Sequence, residues 1–240
     1  MDNADPDFEE AQLRLRLDME RQFEEFVSMA AHNMREPLRD VAAFSQLLAE
    51  NYSGVLDSEA LGYLDRIRQG ATNAQSVLAS VVDYWAIAAD GREPAPTDME
   101  AALQQAMLCA NQQVTLRHAV VTHDVLPSVM GDFELLTKVL HHLIANAIAY
   151  GEPLSPLVHI SSREVDTGWQ FSVRDNGPGI EPAFQDRIFA PFKRLHGRQY
   201  PGNGLGLSFC RKAVESLGGR LWVESAIGSG STFYFTVPAA

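Results

Sequence analysis

Cysteine is scarce in this sequence. Cys109 and Cys210 are the only two, far apart and each in a stretch that reads as helical. A pair so placed excludes a disulfide framework, and two buried free thiols in a reducing, cytoplasmic setting are expected. Long apolar runs are missing too. No stretch of about 18 apolar residues occurs, so no segment is expected to insert directly into a membrane. The start, MDNADPDFEEAQ, has neither the basic head nor the apolar core of a signal peptide. Basic residues are few, 19 Lys and Arg against 31 Asp and Glu, giving a formal charge of −12. That balance speaks against nucleic acid as a partner. It leaves room for a nucleotide or a protein wherever positive charge is concentrated locally. There is no GKS or GKT, which excludes a P-loop.

Glycine is absent from residues 8 to 52, and Pro37 is the only interior breaker, so this segment reads as one long helix kinked at the proline. Phe23, Phe26, Ala30, Met34, Val41, Phe44 and Leu48 recur at three-and-four spacing, a narrow stripe with charges elsewhere. Ser53-Gly54 and Asp57-Ser58 punctuate the chain, and Ser58 is expected to cap a second helix running to about residue 89. A two-helix hairpin cannot bury both apolar faces alone, and a homodimer forming a four-helix bundle is the simplest remedy. The competing arrangement is a hairpin packed on the rest of its own chain.

Asp90-Gly91 and Pro94-Ala-Pro96 form the clearest linker, so two domains are expected, 1–92 and 93–240. The second mixes helices at 99–110, 132–150 and 203–217 with strand-like segments at 119–123, 158–164, 170–174, 220–224 and 231–237. This order predicts an α+β sandwich, with helices on one face of a mainly antiparallel sheet.

Three motifs in the second part point to a nucleotide. Asp175-Asn-Gly177-Pro-Gly179-Ile180 follows a strand, and its glycines permit a tight turn and close ligand approach. A buried Asp there can accept the exocyclic amine of adenine, although Asn-Gly-Pro-Gly is also a common surface turn. Gly202-Asn-Gly204-Leu205-Gly206-Leu207 opens a helix whose free amides suit phosphates. Its late position fits poorly with a dinucleotide fold. Asn146 interrupts an otherwise apolar helix and must find partners if buried.

Taken with Ile188-Phe-Ala-Pro-Phe-Lys193-Arg194-Leu195, these segments resemble, in order and spacing, the N, first glycine, F and second glycine boxes of histidine-kinase ATPase domains. The resemblance covers residues 100 to 240, and the ending GGRLWVESAIGSGSTFYFTVP is similar to phytochrome-like and PAS-linked members. It implies a Bergerat-type fold that binds ATP. On that basis Asn146 would hold Mg²⁺ against the triphosphate, Asp175 would read adenine and Tyr150 would pack along the base. Gly177, Gly179, Gly202, Gly204 and Gly206, with Leu205 between them, would let the backbone surround the nucleotide. Residues 190 to 202 would form a mobile lid carrying Lys193 and Arg194 for phosphate charge.

His32-Asn33-Met-Arg-Glu36-Pro37-Leu38 resembles the phosphoacceptor H box of the same kinases, with a match over roughly residues 22 to 85. The whole is thus similar to the transmitter core of a sensor histidine kinase. Such a kinase phosphorylates its own histidine and passes the group to an aspartate of a response-regulator receiver domain. An upstream sensor domain would then feed the first helix. Three positions depart from the family pattern. Asn33 replaces an acidic residue and cannot take a proton, Glu36 being the nearest substitute. His142 stands for a customary Asn, and Ala149 for a common phosphate-contacting Lys. His141 and His142, about 100° apart on one helix, do not read as zinc ligands. These departures keep a second reading open, a degenerate kinase serving as a nucleotide-binding dimeric scaffold. A gyrase- or MutL-like ATPase fits the ATP boxes but neither the H box nor the acidity.

Overall fold

The computed structural model describes residues 6–87, 94–151, 155–195 and 202–238, with side chains of the first helix described at 18, 19 and from 21 on. Contacts divide the chain into two compact units, Met1–Asp90 and Gly91–Ala240. The boundary expected between 92 and 93 lies outside the described residues.

The first unit is a helical hairpin. α1 (Pro6–Asn51) and α2 (Ser58–Ala86) are 46 and 29 residues long, or about 69 Å and 44 Å at the α-helical rise. Pro37 is carried inside α1 without interrupting it. The cap of α2 is Asp57 rather than the expected Ser58. Its extended backbone lets the carboxylate accept the Ala60 N–H at 2.8 Å, and an ionised cap also suits the positive helix end. Phe23 meets Trp85 edge-on with centroids 4.7 Å apart, which sets the open end of the hairpin. Among the described residues little is buried in this unit: Ala31, Ser45, Ala71 and Ile87. Phe26, Met34, Phe44 and Leu48 of the predicted stripe remain 46% or more exposed.

The second unit is a two-layer sandwich. Five strands, β2 (Val120–His123), β4 (Leu157–Val165), β5 (Gly168–Asp175), β6 (Leu221–Ser225) and β7 (Ser231–Pro238), form a sheet of order β2-β4-β5-β7-β6. Only the β2–β4 pairing is parallel. Strands β1 (Ala95–Asp98) and β3 (Ser128–Gly131) make a small antiparallel ribbon that the sequence pattern does not announce, each being only four residues long.

Helices α3 (Met99–Arg117), α4 (Phe133–Tyr150) and α5 (Gly206–Ser216) complete the unit, and α4 and α5 lie against the sheet. The inner strand positions Val158, Ile160, Phe171, Val173, Phe233 and Phe235 are buried, as are Leu136, Leu140, Leu143, Ile144 and Ile148 of α4, which packs on β4 and β5 while α5 packs on β6 and β7. Alternation on the strands and three-and-four spacing on the helix bring the two apolar faces together. This is the Bergerat-type fold expected from the sequence.

Several local expectations are corrected. α3 runs past residue 110 to Arg117, because no breaker intervenes before His118, which takes the left-handed conformation at φ 51°. α5 begins at Gly206 rather than 203, since Gly202 and Gly204 have positive φ and cannot continue a helix. Cys210 is buried but Cys109 is exposed, one position out of phase with the inner face of α3 at Ala102, Leu103, Ala106 and Ala110. Among the described residues no helix is long and apolar enough to cross a membrane.

Candidate nucleotide site and phosphoacceptor helix

α4 organises the site. Asp132 caps it, accepting the Leu135 N–H at 2.9 Å. Its buried side consists of Leu136, Leu140, Leu143, Ile144, Ala147 and Ile148. His142, Asn146 and Tyr150 follow one another at four-residue steps on the half-buried side, one above the next on a single face. The two ends of this stripe touch the two glycine boxes. A Cβ at Gly177 would lie 2.7 Å from the Tyr150 carbonyl oxygen, and one at Gly206 would lie 3.2 Å from His142 Nδ1. Asn146 therefore sits midway between the boxes.

Asp175 ends β5 and is 6% exposed. Its Oδ1 accepts the N–H of Gly177 at 2.8 Å and of Ser231 at 3.0 Å. Among the described residues no hydrogen bond falls on Oδ2, which leaves it for a ligand donor. Burial pushes the carboxyl above its ordinary value, against the opposing effect of the Gly177 and Ser231 amides.

The turn after Asp175 is tied down on both sides. Asn176 accepts the Leu157 N–H at 2.9 Å and donates to the Ser155 carbonyl at 3.0 Å. Gly179, at φ 78°, lies so close to the chain that a Cβ would come within 2.0 Å of the Ala226 carbonyl oxygen. Ser225 Oγ accepts the Ile180 N–H at 2.8 Å and donates to the Gly230 carbonyl at 2.9 Å.

At the second glycine box, Gly204 at φ 77° backs onto the main chain of Phe192 and Lys193, and the Phe192 N–H donates to its carbonyl at 2.9 Å. Leu205 is buried, and its N–H donates to Asn203 Oδ1 at 3.0 Å. Gly202, at φ 122°, has open space around it. Phe189 is buried against Phe233 with centroids 6.3 Å apart, anchoring the segment that leads to Lys193 and Arg194. Lys193 is exposed and Arg194 partly so. Of the expected lid, 196–201 lie outside the described residues.

This arrangement fits a nucleoside triphosphate. It has a free carboxylate oxygen in a desolvated recess, a turn closely backed by the chain and a helix start with no side-chain cap. Asn146 offers a metal one neutral oxygen. Among the described residues no three His, Cys, Asp or Glu side chains are grouped to hold a metal, so an ion here would arrive bound to the phosphates.

On α1, His32, Asn33 and Glu36 are exposed. Glu36 stands one turn beyond His32 on the same face, and its carboxylate lies 3.9 Å from Arg39. The two adjacent histidines of α4 take different neighbours. His141 bonds the Ala106 carbonyl of α3 and its buried Nδ1 has no partner. His142 lies edge-on to Phe209 of α5, centroids 5.1 Å apart.

Sequence reasoning missed Ser225, Gly230 and Ser231. A Cβ on Gly230 would come 2.1 Å from the Asp175 carbonyl oxygen, so this glycine lets the β6–β7 hairpin close over the site. The Gly228-Ser-Gly230-Ser231-Thr run was the signal available.

Comparison with known proteins agrees with this geometry. Residues 131–240 match the family model of the histidine kinase-, DNA gyrase B- and HSP90-like ATPases. The chain is 40% identical over 225 residues to cyanobacterial phytochrome A of Nostoc sp., covering 92% of this chain and 29% of that protein. It is 32% identical over 241 residues to the adaptive-response sensory kinase SasA of a Synechococcus strain, covering 96% of this chain and 62% of that protein. The chain thus spans less than a third of the phytochrome it matches. Among solved structures, full-length ShkA in complex with AMPPNP is similar at a TM-score of 0.69 and 26% identity, over 90% of this chain and 47% of that one. The mycobacterial sensor histidine kinase MprB matches at a TM-score of 0.53 and 26% identity, over 60% of this chain and 97% of that one.

Proposed function

We infer that this chain, a transmitter core of the sensor histidine kinase type, autophosphorylates His32 from ATP and passes the phosphoryl group to an aspartate of a response-regulator receiver domain. The observation that carries the reading is Asp175, whose Oδ1 is occupied by two main-chain amides while Oδ2 is left for the adenine amine. Tyr150 would cover the base, and Gly177, Gly179, Gly202, Gly204 and Gly206 would admit the chain close to the phosphates. Lys193 and Arg194 would add positive charge. Asn146 would hold Mg²⁺, which when bound neutralises charge on the transferring phosphate.

The reaction balances simply. A neutral His32 ring nitrogen attacks the γ-phosphorus, the bond to the β–γ bridging oxygen breaks, and ADP leaves with that electron pair. The proton on the other ring nitrogen must pass to a base. Asn33 cannot take it, whereas Glu36 on the same helical face can. In the second step the receiver carboxylate attacks phosphorus and the His32 N–P bond breaks. Asn33, His142 and Ala149 motivated the scaffold alternative, which draws no support from the comparisons.

A homodimer is part of the proposal, supported by the exposed Phe26, Met34, Phe44 and Leu48 on a hairpin that buries almost nothing by itself. So are a cytoplasmic location and an upstream sensor domain, the phytochrome relative being more than three times as long as the part it shares.

The test is incubation with γ-labelled ATP and Mg²⁺ beside His32→Ala. Acid-labile label on the wild type alone is expected. Label that persists in His32→Ala would overturn the assignment of the acceptor.

A further inference from the structure

We infer that His142 supplies an imidazole ligand to the metal–triphosphate group, so that this site binds nucleotide more tightly with Mn²⁺ than with Mg²⁺. The inference rests on the reading of the site as an ATP site and deepens it.

His142 is one helical turn from Asn146 on the same face of α4. Residues at that spacing present their side chains to a common point a few ångströms away, the arrangement by which one helix supplies two ligands to one ion. The opposite neighbour on the stripe, Tyr150, meets the first glycine box, while His142 meets the second. Its Nδ1 stands against Gly206, where even a methyl group would come within 3.2 Å, and its ring is braced edge-on by Phe209. The imidazole is therefore held at the first turn of α5, which no side chain caps. That is where triphosphate oxygens are drawn, together with any ion they carry.

His141 shows that being a histidine at this level of α4 does not by itself suffice. It is turned to α3 and bonded to the Ala106 carbonyl, away from the stripe.

The consequence is chemical. Asn146 offers an amide oxygen, which suits Mg²⁺, Mn²⁺ and Ca²⁺ alike. Imidazole nitrogen discriminates among them. Mg²⁺ takes oxygen ligands in near-ideal octahedral geometry and gives up water reluctantly, whereas first-row transition ions take nitrogen readily. A site pairing amide oxygen with imidazole should thus favour Mn²⁺.

The experiment measures AMPPNP binding calorimetrically in excess Mg²⁺ and, separately, excess Mn²⁺, for wild type, His142→Asn and His141→Asn. Wild type should bind about tenfold tighter with Mn²⁺, and His142→Asn should lose that preference while His141→Asn keeps it. Pulsed electron paramagnetic resonance of the Mn²⁺–AMPPNP complex should show a nitrogen coupling that disappears in His142→Asn only. Equal affinities for the two ions in wild type, or a nitrogen coupling unchanged by His142→Asn, would overturn the inference and leave the ATP site standing. Absence of nucleotide binding with either ion would remove both. Should His142→Asn fail to fold, the wild-type affinity ratio still decides.

Discussion

Asp175, at the end of β5, accepts the main-chain N–H of Ser231, at the start of β7, on the same oxygen that accepts the N–H of Gly177. Two amides from segments 54 residues apart in sequence (231 minus 177) thereby fix one carboxylate in a single orientation. The orientation matters more than the charge, because it decides which oxygen is offered to a ligand.

Asp175→Asn should therefore leave the unit folded and lower ATP affinity by about 10- to 100-fold, the worth of one buried hydrogen bond to a charged acceptor. The Asn amide oxygen can still serve the two main-chain donors, but its NH₂ then faces the adenine amine, donor against donor. Calorimetric titration and a thermal melt of the same sample check both halves.

Acid should weaken nucleotide binding earlier than for an ordinary aspartate. Burial raises the Asp175 carboxyl, and protonation removes the acceptor. For stability the sign is opposite. A carboxyl raised on folding contributes stability that is full below its unfolded value and lost as pH rises through its folded value. Between those values, acidification should stabilise the ligand-free wild type relative to Asp175→Asn while loosening ATP. Melting and binding curves taken against pH in parallel should cross in that sense.

His141 is expected to give the reverse dependence. Burial lowers it, with the bond to the Ala106 carbonyl opposing. Its contribution is thus present above the unfolded value near 6.5 and lost as pH falls through the lowered folded value. His141→Gln, which keeps a donor for Ala106, should flatten the acid side of the stability profile. A variant with an unchanged profile would show that other groups govern it.

Gly179→Ala and Gly228→Ala separate backbone strain from collision. Both positions have left-handed φ, 78° and 77°, but a Cβ meets the Ala226 carbonyl at the first and nothing within 4 Å at the second. Gly228→Ala should cost about 1 kcal/mol, the left-handed penalty alone. Gly179→Ala should cost more than about 2 kcal/mol and abolish ATP binding, because the chain that must move is the turn beside Asp175. Denaturant melts of the two variants make the comparison.

Asn33→Glu should accelerate phosphorylation of His32, by about 10- to 100-fold if proton removal limits the step. Both positions are exposed on α1, so no folding penalty is expected. Initial rates of acid-labile labelling decide it, with His32→Ala as the blank.

Much of the fold could be read from pattern alone. The stripe on α1, the apolar face of α4 and the alternation in β4, β5 and β7 are long periodic signals; the structure buries those of α4 and the strands, while the α1 stripe stays largely exposed. Short elements were not legible. β1 and β3 hold four residues each and exist because they pair with one another, not because either has a pattern of its own. The cap at Asp57 rather than Ser58 turned on one residue of backbone geometry. In the site, the glycine boxes announced themselves through spacing. Ser225 and Ser231 did not, since the first pins the turn through its hydroxyl and the second holds Asp175 through its main-chain N–H, and neither role sets a serine apart in sequence. Tyr150 was legible as a base-packing residue through the family resemblance, and His142 as a departure from it. That they bridge the two boxes depends on α5 and the turn after β5 both reaching α4.

The strand order has a consequence for how the protein is made. β7 is the last strand of the sheet in chain order, yet it lies inside the sheet, between β5 and β6, and it brings Ser231 to Asp175. The recess around Asp175 is therefore incomplete until β7 has inserted between two strands that both precede it in the chain. Nucleotide capture then reports that β7 is seated, and the ligand's own binding energy adds to the stability of the molecules in which it is.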